Sequence, residues 1–291
     1  PAGEFWCVRP RQEGVEYDVE HAVVGGEDRF IITHNDGAPN YEVVEAPVGP
    51  IEGELRDLRT LVAHRDDVRV EGVDAFARVL VLGYREAALP RFALMPLDQG
   101  STAGVEAYGR FEPVEFDEEL YTSGPGSNPE WDSPILRFGF GSFVTPGRVY
   151  SLDLASGERT LLREQEVLGG YDPSGYVQRR EWATAADGTR VPISLLDRGM
   201  AFAVAHVRGG GEMGRLWYEN GKTHTKRNTF TDFVDCARHL VDSGLTAPDR
   251  LVAEGGSAGG LLMGAVANLA PELFAGIQAV VPFVDPLTSI L

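Results

Sequence analysis

Leu251-Val-Ala-Glu-Gly-Gly-Ser257-Ala-Gly-Gly-Leu-Leu-Met-Gly-Ala-Val-Ala-Asn-Leu269 is the stretch on which the reading of this chain turns. Residues 251–254 read as a short strand and residues 258–269 as a helix, and between them Gly255-Gly256-Ser257-Ala258-Gly259 fits Gly-x-Ser-x-Gly. The pattern alone carries little in a chain with 35 glycines. A strand running into it and a helix leaving it give it meaning, because that context presents a serine at the tip of a sharp turn. Side chains two positions to either side, at Gly255 and Gly259, are expected to collide with neighbouring backbone. The helix that follows points its free N–H groups and positive dipole end at any negative charge developing beside the serine, and the Ala258 amide is the expected first donor. Ser257 is therefore the candidate nucleophile, with Gly255, Gly256 and Gly259 as the structural elbow.

A serine of this kind needs a base, and in a sheet of this type the chain order is Ser, then Asp or Glu, then His. His21, His34, His64, His206, His224 and His239 all precede Ser257. His239 falls on the solvent side of its helical stripe and His206 within an apolar strand, and none of the six is assigned as the base. Asp285 is followed by Pro286, which favours a structural place in a loop. Gly209-Gly-Gly-Glu-Met-Gly214 also matches Gly-x-Gly-x-x-Gly, with Asp232 at a suitable distance for a ribose contact. The next clear helical pattern begins only near Thr229, so dinucleotide binding is set aside.

Upstream of residue 165 short apolar alternations are split by turn residues, with no helical period. Residues 5–8, 17–24, 29–33 and 41–44 form one set. Residues 59–64, 68–70, 78–83 and 91–96 form a second, and 109–116, 135–143, 149–154 and 159–162 a third. About four strands in each 45 to 55 residues is close to the blade period of a β-propeller. After Gly169-Gly170 the pattern changes. Residues 177–182 and 190–193 flank Asp187-Gly188, a hairpin signal. Residues 200–207 form a nearly continuous apolar run, expected of a parallel strand buried on both faces. Phe230, Phe233, Val234, Ala237, Leu240 and Val241 then follow a helical period, with Thr229 and Asp232 resembling a capping box and Gly244 a stop. Residues 279–284 read as a further strand. Alternating strand and helix imply an α/β sheet, with the boundary between the two parts near residues 165–176.

Composition narrows the partners. The chain has 291 residues, 43% of them hydrophobic, and a net charge of −18. Residues 1–170 hold 31 acidic against 15 basic side chains (−16), and residues 171–291 hold 13 against 11 (−2). Such a surface repels nucleic acid and anionic membrane and attracts cationic ligands, although a solvated acidic surface kept for solubility is the reading with more weight. No segment approaches the roughly 18 to 20 apolar residues of a membrane span. Cys7 and Cys236 fit no metal or redox spacing, which suits a reducing, cytoplasmic compartment. Pro1-Ala2-Gly3-Glu4-Phe5 lacks an initiator Met and any signal-like region, and the native start is expected upstream. No cofactor and no metal are expected, and the oligomeric state is left open.

Several motifs in order resemble the prolyl oligopeptidase family. These are Arg208-Gly-Gly-Gly-Glu-Met-Gly214, Trp217-Tyr-Glu-Asn-Gly-Lys222, Asn228-Thr-Phe230, Gly255-Gly-Ser-Ala-Gly-Gly260, Pro271-Glu-Leu-Phe274 and Val281-Pro-Phe-Val-Asp285. Together with Asn128-Pro-Glu-Trp-Asp-Ser-Pro134, they are most similar to its oligopeptidase B branch. The resemblance implies an all-β propeller, here its C-terminal blades (residues 1–170, about three blades), followed by an incomplete α/β-hydrolase domain (residues 171–291). It implies a serine-type oligopeptidase that cuts short, cationic peptides after Arg or Lys through an acyl-enzyme on Ser257, with Arg208 and Glu212 in an active-site loop. It places the triad Asp and His, and the acids that hold the basic side chain, after the last residue of this sequence. It also places a further strand and a Tyr-containing loop between Ile193 and Asp197, so a discontinuity in the backbone is expected there. An esterase or an acylaminoacyl or prolyl peptidase of the same fold is the alternative enzyme, and a non-catalytic propeller scaffold the alternative from another class.

Overall fold

The structure is a computed structural model, and it describes residues 5–98 and 107–285. Pro1–Glu4 of the opening segment and Pro286 lie outside the described residues. The chain divides into two compact units, one of residues 1–174 with 212–216, the other of residues 175–211 with 217–291.

The first unit consists of three four-stranded antiparallel sheets, each a simple meander. The first holds β1 (Tyr17–Val24), β2 (Glu27–His34), β3 (Glu42–Pro47) and β4 (Arg59–Val62). The second holds β5 (Val68–Ala75), β6 (Val79–Glu86), β7 (Leu89–Pro96) and β8 (Glu112–Pro113). The third holds β9 (Tyr121–Pro125), β10 (Ile135–Ser142), β11 (Arg148–Asp153) and β12 (Arg159–Glu164). Three sets of four were expected, but their membership is displaced by one strand. Residues 5–8 form no strand, and the segment at 59–62 closes the first sheet instead of opening the second. Alternation reports that a strand exists, whereas its sheet is decided by which backbone it pairs with.

Apolar residues from neighbouring sheets interleave to make the core of this unit. Ala22, Ile31 and Val43 pack with Val70, Leu80, Leu82 and Met95 between the first and second sheets. Val79, Val81 and Phe92 pack with Leu136, Phe138 and Leu152 between the second and third. Phe92 and Phe138 are fully buried with ring centroids 5.3 Å apart, within the range where aromatic pairs add to plain burial.

The second unit opens with β13 (Val177–Thr184) and β14 (Arg190–Asp197), a hairpin in unbroken register from Val177↔Asp197 to Thr184↔Arg190. The expected discontinuity between Ile193 and Asp197 is not seen. The apolar run at 200–207 contains β15 (Ala201–Ala205), and this strand pairs antiparallel with β14. It was expected to be parallel and doubly buried, yet Phe202 is 58% exposed. The reason lies in the link: three residues make a tight reversal through Gly199 in the left-handed region, and an antiparallel neighbour needs no crossover. A one-turn helix, α1 (Arg215–Glu219), precedes α2 (Arg227–Asp242), then come β16 (Val252–Gly256), α3 (Ala258–Leu269) and β17 (Gly276–Val280). β16 and β17 pair in parallel, with α3 between them in sequence. Val234 on α2, Val266 on α3 and Ala270 are buried against one another. α2 begins two residues before Thr229, so Thr229 and Asp232 lie inside its first turns and do not form the expected capping box. Gly244, at φ 76, ends the helix as expected.

Candidate active site

Ser257 is the single residue between β16 and α3, at φ 54 and ψ −112. That conformation is strained for a residue with a Cβ, and its surroundings impose it. The Ser257 N–H donates to the Val280 carbonyl oxygen (3.0 Å), continuing the parallel ladder by one step. Its own carbonyl oxygen accepts from Gly260 N (3.0 Å) and Leu261 N (3.2 Å), closing the first turn of α3. The side chain is exposed at the end of the strand. The opening amides of a helix have no intrahelical acceptor, and the Ala258 N–H, the first of α3, follows Ser257 at the positive end of that helix.

Crowding explains one of the two glycines expected to be crowded, Gly255, and not the other, Gly259. A Cβ at Gly255 would run into the Gly259 carbonyl oxygen and lie 3.0 Å from Met263 Cγ. At Gly259 a Cβ would meet nothing within 4 Å, so the expected clash there is absent. The crowding falls instead on Gly260, where a Cβ would lie 2.5 Å from Pro282 Cα. Gly256, paired with Val280, has ordinary contacts only.

Arg208 is buried, and each of its three guanidinium nitrogens is bonded. Its Nε and Nη2 donate to Asp232 (2.9 and 2.6 Å), its Nη1 donates to Asp187 (2.5 Å) and Thr189 (3.2 Å), and its backbone N–H also donates to Asp232. Thr229 Oγ1 donates to the Arg208 carbonyl oxygen (2.6 Å). The guanidinium thus ties the Gly209-Gly210-Gly211 turn to α2 and to the β13–β14 turn, with four of its five N–H donors used in these bonds. Hydrogen bonding to Arg208 holds the Asp187 carboxyl down at about 2, and the arginine itself is raised, first by its bond to Asp232. Asp232 is consumed by this pairing, which closes the ribose reading. Sequence inspection missed it because the partners are 24 residues apart and Asp232 lies off the apolar stripe read along α2, although the structure buries it. Glu212 groups with the first unit; one of its carboxylate oxygens is shielded from solvent and has no hydrogen-bond donor among the described residues.

The two histidines singled out in the sequence are both engaged with side chains other than Ser257. His206, half-buried just past β15, has Nε2 2.8 Å from Ser194 Oγ, and His239 Nε2 lies 3.6 Å from a Glu181 carboxylate oxygen. Among the described residues no group of three or more His, Cys, Asp and Glu side chains could hold a metal ion. No helix among them is long and apolar enough to cross a membrane.

Comparison with known proteins places this geometry. The profile described as "Prolyl oligopeptidase, N-terminal beta-propeller domain" matches residues 5–165, and that of the "Prolyl oligopeptidase family" matches residues 189–291. The chain belongs to the prolyl oligopeptidase family. Its propeller domain is the N-terminal one, and the elbow falls in the part matched by the family's peptidase profile. Among curated members it is 40% identical to the dipeptidyl aminopeptidase BI of Pseudoxanthomonas mexicana over 99% of this chain and 43% of that protein. It is 34% identical to Protease 2 of Moraxella lacunata over 100% of this chain and 45% of that one. A solved structure of oligopeptidase B from Trypanosoma brucei, with covalently bound antipain, superposes with a TM-score of 0.84 at 38% identity, covering 97% of this chain and 44% of that one. The chain thus spans less than half the length of these family members. The first two alignments run over 328 residues, longer than the 291 of this chain, so stretches of those relatives have no counterpart here.

Proposed function

We propose that this chain is the propeller and elbow-bearing part of a serine oligopeptidase that cleaves short peptides after Arg or Lys. The supporting observation is Ser257 itself, exposed between β16 and α3 with the Ala258 amide beside it at a helix start. In the proposed reaction the Ser257 hydroxyl attacks the scissile carbonyl, and Ala258 N–H donates to the oxygen as it becomes negative. A histidine takes the serine proton and returns it to the leaving amine, and a carboxylate orients that histidine; both are assigned to the longer protein, beyond Leu291. Water then releases the acyl group by the same steps in reverse order. In this reading residues 1–170 are the C-terminal blades of the propeller and residues 171–291 the start of an incomplete hydrolase domain, in a cytoplasmic protein. Preference for a basic side chain rests on the similarity to Protease 2 and oligopeptidase B, and the −16 balance of residues 1–170 agrees with it.

A second reading, release of dipeptides from a free amino terminus, is favoured by the name of the 40% identical relative from Pseudoxanthomonas mexicana. Labelling the complete protein with a fluorophosphonate tests the shared core of both. The adduct is expected on Ser257 and lost in Ser257→Ala, and labelling that survives the substitution would overturn the assignment.

A further inference from the structure

Val281 stands beside Ser257 in an unusual conformation. The last pair of the β16–β17 ladder is Gly256↔Val280, so Ser257 and Val281 are each the first residue past the end of their strand. Both have positive φ, 54 at Ser257 and 41 at Val281. For a β-branched residue that is an outlier, and the residue before a proline is normally driven to extended backbone. Burial does not account for it, because Val281 is 78% exposed.

The hydrogen-bond ladder supplies a cause. In a regular parallel pair Ser257 would donate to Val280 O and accept from the N–H of residue 282. The first bond is present at 3.0 Å. Residue 282 is proline and has no N–H. The Ser257 carbonyl oxygen accepts instead from Phe283 N, one residue later, at 3.4 Å. Delivering residue 283 where 282 belongs requires the chain to take up one residue within the turn, and the left-handed step at Val281 does that. The same turn sets Pro282 against the first turn of α3, at the one place where Gly260 leaves room.

We infer that the 280–283 turn is a backbone clamp on the nucleophile, and that Val281 and Pro282 are positioning residues for Ser257. Its strained conformation is held from both sides: Val280 takes its N–H, and Phe283 adds a donor from the partner strand to the carbonyl oxygen that Gly260 and Leu261 bind from α3. This rests on the serine-hydrolase reading above and adds to it what fixes the angle at which the hydroxyl is presented.

The test uses the complete protein and the second-order rate of acylation by a small fluorophosphonate, which needs no peptide subsite, together with kcat and KM on a peptide amide. Val281→Pro excludes positive φ and should slow acylation by about 100-fold, the size of effect a misplacement near 1 Å produces. Pro282→Ala, a milder change that restores a ladder donor and lets residue 281 relax, should slow it about tenfold, with the loss in kcat and not in KM. Val281→Asn, which tolerates the left-handed region, should stay within about threefold of wild type. The clamp is overturned if Pro282→Ala acylates at the wild-type rate, or if Val281→Asn is as slow as Val281→Pro, since the side chain and not the backbone would then matter. Failure of the underlying reading shows separately, as labelling of the wild-type protein at a residue other than Ser257.

Discussion

The guanidinium of Arg208 lies fork-on-fork against the carboxylate of Asp232, with bonds of 2.9 and 2.6 Å, in a place where Asp232 is 0% and Arg208 6% exposed. A buried pair of this kind is a weak source of net stability, but removing one partner leaves an uncompensated charge in the interior. Asp232→Ala is therefore expected to destabilise the protein by about 3 to 5 kcal/mol. Replacing both residues by apolar ones of similar volume should recover most of the loss. Denaturant melts of the single and double variants decide the matter, and a single variant as stable as wild type would mean that water reaches the site.

The outer arm of the same arginine predicts an acid-sensitive contribution. Its hydrogen bond to Asp187 lowers that carboxyl from 3.8 to about 2. A depressed carboxylate contributes stability above its unfolded pKa and loses it as the pH falls through the folded one, so the contribution is complete above about pH 4 and fades towards pH 2. The Asp187 side chain is 49% exposed, and solvent screening limits the gain to about 1 kcal/mol or less. In Asp187→Asn the melting temperature should be slightly lower at pH 7 and should fall less steeply than wild type between pH 4 and 2. Parallel curves for the two proteins would contradict this.

Gly255 and Gly259 look equivalent in the motif and differ in space. Gly255→Ala forces a Cβ against the Gly259 carbonyl oxygen and Met263, so a loss of about 1 to 3 kcal/mol is expected together with slower labelling of Ser257. At Gly259 the space is open, and alanine is the better helix former by up to about 1 kcal/mol. Comparative melts should therefore rank Gly259→Ala at or above wild type and Gly255→Ala below it; the reverse order would refute the packing argument.

Substrate assays on the complete protein separate the two peptidase readings. Cleavage after a basic residue should exceed cleavage after Phe or Pro by at least tenfold, about 1.4 kcal/mol of transition-state discrimination. A blocked amino terminus on the same Arg amide should leave the rate unchanged for an oligopeptidase and abolish it for a dipeptidyl aminopeptidase. Equal rates on Arg, Phe and Pro amides would remove the basic preference altogether.

The reach of the sequence ended where contacts stopped being local. Alternation with period two and turn residues showed that strands recur along residues 17–98 and 107–164, and the run 251–269 was legible as strand, turn and helix, with α3 at Ala258–Leu269 as expected. Both signals depend on residues within a few positions of one another. Pairing does not: nothing in residues 59–62 says that they close the first sheet, and nothing in the apolar run at 200–207 says that its neighbour is antiparallel. Gly259 was credited with a crowding that belongs to Gly260, because Pro282 approaches from 22 positions away. Arg208 was expected in an active-site loop, and its bonds to Asp187 and Asp232, 21 and 24 positions away, could not be read from the sequence. The sequence by itself determined that a serine is offered at the end of a strand, since strand, glycines and helix are consecutive. Gly260 N and Leu261 N hold it locally, and only the tertiary structure decided what else does, because Val280 O and Phe283 N reach it through the pairing of two strands that the intervening helix keeps far apart in sequence.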